Sequence, residues 1–131
     1  MTAFTRRTAV IAGLFVTAST PSRSERGALD GQRFEGVFIE RGKTRGDADV
    51  LTFKDGRFHS SACDRFGYGD APYKSVANGD TITFEAETES AKYGRLSWAG
   101  AVRKGKLDAT ALMQRPGKAP LENWVVAASK S

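Results

Sequence analysis

Cysteine and histidine, the side chains that most often carry metal sites and nucleophilic chemistry, occur once each in these 131 residues. One cysteine cannot close an internal disulfide, so stability in an oxidising compartment must come from the core. One histidine beside it leaves a Cys/His zinc site short of ligands. No P-loop, no Gly-x-Ser-x-Gly elbow and no EF-hand spacing occurs. Gly67-x-Gly69 lacks the third glycine and the following helix of a dinucleotide fingerprint, so it reads as an aromatic turn and no cofactor is expected. No apolar run is long enough to span a bilayer, and no long helical periodicity appears. No pair of carboxylates is singled out as an acid and its base.

What is present begins with a short basic head, "MTAFTRR", followed by the apolar "TAVIAGLFVTA" and a small-x-small site at Val16-Thr17-Ala18. That order reads residues 1–18 as a cleaved secretory signal and 19–28 as a Ser/Arg-rich linker. Arg6-Arg7 before the apolar run resembles a twin-arginine signal, though a general secretory signal needs basic residues there too. The expected address is the periplasm or exterior of a bacterium. Losing Arg6 and Arg7 would leave 18 basic against 15 acidic side chains, so the formal +5 becomes +3. Interspersed charge of that size in an exported chain argues against nucleic acid as a partner.

Residues 29–131 read as a single β domain. Runs rich in Phe, Val, Ile, Thr and Tyr alternate with glycine-containing turns, giving strands near 32–41, 48–54, 57–63, 71–77, 81–89, 95–103, 107–115 and 122–129. Asp55-Gly56 and Asn78-Gly79 are favoured two-residue hairpin turns, and Lys104-Gly105 is a weaker third. Counting outward sets Phe53 against Phe58 and Leu51 against Ser60. The same count sets Ile82 against Ser75 and Phe84 against Tyr73, and then Trp98 against Ala111 and Leu96 against Met113. Each hairpin gains one mainly apolar and one mainly polar face, the latter including Glu85, Glu87 and Glu89. Short consecutive hairpins predict an all-β fold, an antiparallel eight-stranded up-and-down barrel, with a two-sheet sandwich as the alternative.

On a strand, His59 and Cys63 share a face yet stand roughly 13 Å apart, too far for a thiol and its base. His59 is expected exposed, and Cys63 buried at the strand end beneath "RFGYG". Asp47, Asp49 and Asp70 read as exposed turn aspartates.

Trp98 faces inward with Gly100, Ala109 and Ala111 around it. Small residues beside an interior aromatic either interlock with its ring or leave room next to it. The open version is a lumen lined by Phe53, Phe58, Tyr73, Phe84, Leu96, Trp98 and Met113, suited to a small apolar or aromatic ligand. The leading expectation is a non-enzymatic barrel binding such a ligand. The alternatives are a packed barrel acting as an envelope interaction module through "ERGKTRGD" and "DRFGYGD", and a redox or enzymatic role for Cys63.

The segments "FKDGRFHSSAC" with the following Gly-Tyr-Gly, "GDTITFEAETES", "GRLSWAGAV" and "NWVVAA" resemble a group of small exported bacterial proteins. The layout is similar to that of the lipocalin or calycin class, with Gly36-Val37-Phe38 where that class has Gly-x-Trp. The resemblance implies an eight-stranded ligand-binding barrel.

Overall fold

The computed structural model describes residues 23–25 and 27–130, which form nine strands and one 3-10 helix. The expected signal peptide, 1–18, lies outside the described residues. Within the expected linker, β1 (Arg23–Glu25) pairs antiparallel with Ser75, Val76 and Ala77. The remaining strands are β2 (Arg33–Glu40), β3 (Asp47–Lys54), β4 (Arg57–Ser60), β5 (Ala71–Asn78), β6 (Thr81–Ser90), β7 (Gly94–Arg103), β8 (Lys106–Met113) and β9 (Leu121–Ser129).

Each of β2 to β9 pairs antiparallel with the next, and β9 returns to β2, so eight strands close into an up-and-down barrel. The alternation of side chains follows from the pleat: Phe34, Leu51, Phe53, Phe58, Phe84, Leu96 and Val125 turn inward and are almost fully buried. Glu85, Glu87 and Glu89 form the solvated outer row that the alternation predicts. The short β4 pairs only with Ala71 and Pro72 of β5, and β1 covers β5 further along at Ser75–Ala77.

Register around two of the turns is as counted. Phe53 faces Phe58 across Asp55-Gly56, and Trp98 faces Ala111 across Lys104-Gly105. In both turns the two central residues have positive φ, the type I′ pattern. The middle hairpin differs. Asn78 pairs with Thr81, so the turn is Gly79-Asp80 and Phe84 faces Ser75 rather than Tyr73. Only Gly79 has positive φ, at 64°, as a II′ turn requires at its first central position. The slip is by two residues, so every side chain keeps its face.

A second correction concerns β4, which ends at Ser60 instead of running to residue 63. Ser61–Phe66 is a 3-10 helix, closed by Gly67 at φ 84°. Ser61 Oγ takes the Val50 N–H at 2.8 Å, where a continuing strand would have supplied a carbonyl.

The two barrel ends are unlike. The turns Asp55-Gly56, Gly79-Asp80 and Lys104-Gly105 share one end. The connections 41–46, 61–70, 91–93 and 114–120 share the other.

Candidate functional site

The end with the tight turns is filled. Phe53 lies at the centre of an aromatic cluster, with ring centroids 5.0 Å from Tyr73, 5.1 Å from Phe84 and 5.3 Å from Phe58. Phe58 in turn meets Trp98 at 4.8 Å. A Cβ on Gly100 would stand 2.8 Å from the Phe84 ring and 2.7 Å from Ala109 Cβ, so here the small residues interlock with the aromatics. Trp98 Nε1 donates to Thr88 Oγ1 at 3.3 Å.

Segment 27–32 plugs this end. Leu29 is fully buried, and its N–H donates to Tyr73 Oη at 3.0 Å. That hydroxyl donates to Asp30 Oδ1 at 2.7 Å, and Asp30 also accepts the Gly56 N–H. Burial raises the Tyr73 pKa, and donation to Asp30 raises it further, so the phenol keeps its proton.

The other end is hollow. A cavity of about 560 Å3 sits between the aromatic cluster and the longer loops. Its apolar wall comes from Phe38, Leu96, Met113 and Leu121 on the strands, and Phe66 and Tyr93 on the loops. Phe38 also touches Trp98, with centroids 5.9 Å apart, so its ring joins the cavity to the packed half. Lys43 and Arg45 line the mouth together with Glu40 and Asp47, and Asp47 is paired with Arg65 at 2.6 Å. Asn123 is buried in the far wall, its Nδ2 donating to the Ala111 carbonyl.

Cys63 and Tyr68 complete the wall on the 3-10 side. Asp49, only 1% exposed, anchors this side by accepting from Ser60 Oγ at 2.8 Å and from the Ala62 N–H at 3.0 Å. It is therefore a buried tether and not the exposed turn aspartate expected; Asp47 and Asp70 are exposed as expected, paired with Arg65 and Arg57. Burial pushes the Cys63 thiol pKa up to about 11; a Ser60 hydrogen bond opposes this, while Asp49 and Asp64 add to it. Tyr68 is 3% exposed, and its Oη has no hydrogen-bond partner among the described residues.

His59 and Cys63 do not share the strand face expected of them, because the strand ends at Ser60 and Cys63 lies in the 3-10 helix. The helix carries Cys63 into the interior, whereas His59 stays on the half-exposed outer face with Nε2 2.7 Å from Asp64 Oδ1. Among the described residues, no group of three His, Cys, Asp or Glu side chains could hold a metal ion.

Of the seven residues expected to line a lumen, Leu96 and Met113 line the cavity. Phe53, Phe58, Tyr73, Phe84 and Trp98 belong to the filled half. Sequence reasoning missed Phe38, Tyr68, Leu121 and Asn123 as cavity residues. The available signal was the longer, aromatic-bearing connections gathered at one end, since three tight turns leave the other end for all the long loops.

Fold and site together describe a closed antiparallel barrel with one sealed and one hollow end. No family model, no curated protein and no solved structure matches this chain. Among the described residues, no helix is long and apolar enough to cross a membrane.

Proposed function

We propose that this chain is a non-catalytic binding protein that holds a small, mainly apolar molecule in the cavity at the loop end of its barrel. The observation that carries the reading is the cavity itself. At about 560 Å3 it lies within the usual range for small-molecule sites, and it combines an apolar wall with a few polar groups. Similarity of layout to lipocalins supports the same reading, and the N-terminal pattern of residues 1–18 supports action in the periplasm or outside a bacterial cell. The loop "ERGKTRGD" puts Lys43 and Arg45 into the cavity wall, which favours a loop that serves the cavity over one that docks a partner.

The test is native mass spectrometry of the full chain recovered gently from the cell compartment it occupies. A reproducible added mass that leaves on denaturation is expected. Met113→Trp, which fills the cavity, should lose that mass without unfolding. A bare polypeptide that also shows no thermal shift with a panel of apolar compounds would sink the proposal. Cell fractionation checks the address, with recovery in the cytoplasm counting against export.

A further inference from the structure

We infer that the occupant of the cavity is an apolar molecule ending in a protonated amine, held between Asn123 Oδ1 and the Glu40 carboxylate. The inference rests on the binding reading above and adds the chemistry of the ligand.

An unpaired polar atom in a protein wall is either sealed from its surroundings or open to whatever fills the space beside it. Among the described residues, Tyr68 Oη is the only buried side-chain oxygen or nitrogen that is both sealed and unpaired. Asn123 spends Nδ2 on the Ala111 carbonyl, which fixes the orientation of its amide, and its Oδ1 accepts no hydrogen bond from any described residue. Unpaired and yet not sealed, Oδ1 is open, and the opening that Asn123 lines is the cavity. Asn123 as a whole is only 3% exposed, so this oxygen is an acceptor presented to the interior. An occupant that leaves it bare strips its hydration for nothing, whereas one that carries an N–H restores the bond.

Glu40 adds charge at the same place. It is the partner of Asn123 across the β2–β9 seam, shares the inward face of β2 with Phe38, and lines the same cavity toward its mouth. Glu40 is half-buried and makes no ion pair among the described residues, whereas Asp47 is held by Arg65 and Glu122 by Arg41. Lys43 and Arg45 sit on the exposed 41–46 loop, where water already solvates them. Two neighbouring acceptors, one of them anionic, repel a carboxylate and give an uncharged hydrocarbon nothing for the hydration it displaces. An ammonium meets both with charge-assisted hydrogen bonds. Phe38, Leu96 and Met113 then receive the apolar remainder.

Four compounds with one ring system separate the possibilities: 2-naphthylmethylamine, 2-naphthylmethanol, 2-methylnaphthalene and 2-naphthoate, each titrated against the full chain near neutral pH. The amine should bind roughly tenfold more tightly than the alcohol, and more tightly still than the other two. The carbon resonance of the Asn123 side-chain amide should move with the amine and stay in place with methylnaphthalene. Glu40→Gln, at a half-exposed position without an ion pair, should fold normally and lose the preference for amine over alcohol, leaving methylnaphthalene affinity unchanged. Tightest binding of naphthoate, an amine preference that survives Glu40→Gln, or an Asn123 resonance that the amine does not move overturns the inference and leaves the binding reading standing. If none of the four binds and apolar compounds of other shapes give no thermal shift, both readings fall.

Discussion

Asp49 gathers the groups that the early end of β4 leaves without strand partners, the Ser60 hydroxyl and the Ala62 N–H among them. Asp49→Ala would strand both donors, and a loss of about 2–4 kcal/mol is expected in urea unfolding. Cys63 should become more readily alkylated in the same variant, since its helix loses the anchor. In the parent, Cys63 should react slowly at neutral pH, because a thiol with a pKa near 11 supplies little thiolate there. The same shift has a consequence for stability. Between the ordinary value of 9.0 and about 11, the folded chain keeps a proton that the unfolded chain has released. The contribution is therefore complete below pH 9 and drains away as pH rises through 11, amounting to about 2–3 kcal/mol. Unfolding measured from pH 7 to 11 should show this fall, and Cys63→Ala should flatten part of it. Tyr68 and Tyr73, with their raised values, add to the decline at the alkaline end. The burial of Cys63 was legible from its residue type, but the role of Asp49 was not. An aspartate between strand residues reads as exposed unless one knows that a helix turns back over it.

Hairpins were the most legible elements, because a turn and the alternation beside it are both local. Two of three registers follow from Asp-Gly and Lys-Gly alone, and the third is displaced by two residues without changing faces. The displacement makes a contrast that can be measured. Gly79 has φ 64° with open space around an added Cβ, so Gly79→Ala should cost about 1 kcal/mol through backbone strain alone. Asn78, an exposed strand residue paired with Thr81, should tolerate alanine within about 0.5 kcal/mol. Equal costs at the two positions would contradict the Gly79-Asp80 turn. Lys104 is one of two non-glycine residues with positive φ among the described residues. Lys104→Asn should therefore stabilise the chain by about 0.5 kcal/mol in thermal melts. The expected strand over 57–63 failed where side chains, not turn chemistry, took over the hydrogen bonding. Ser61 replaced a backbone partner of Val50, and nothing in a β pattern announces that.

Closure of the barrel depends on how near β2 and β9 come at Gly36. A Cβ there would lie 1.9 Å from the Val126 carbonyl oxygen and 2.5 Å from Ala127 Cα, both backbone atoms that cannot step aside. Gly36→Ala should cost about 3 kcal/mol or more. Hydrogen exchange should locate the damage at the β2–β9 seam, with β5–β6 protected as before. An all-β fold, eight strands, their faces and a meander order could all be read along the chain, since each arises from neighbours in sequence: the period of two, the turn residues, the short connections. That period also placed Phe53, Phe58, Phe84 and Trp98 inside. Whether the inside is full was another matter. It turns on rings meeting across the barrel, Phe84 over Gly100 and Phe58 against Trp98, from strands that lie apart in sequence. The cavity exists because the long connections all fall at one end and hold Tyr68 and Cys63 over a gap that the cluster does not reach. Periodicity is local and survives in one dimension; packing volume and an unpaired hydroxyl are properties of distant residues brought together, and they appear only when the barrel closes.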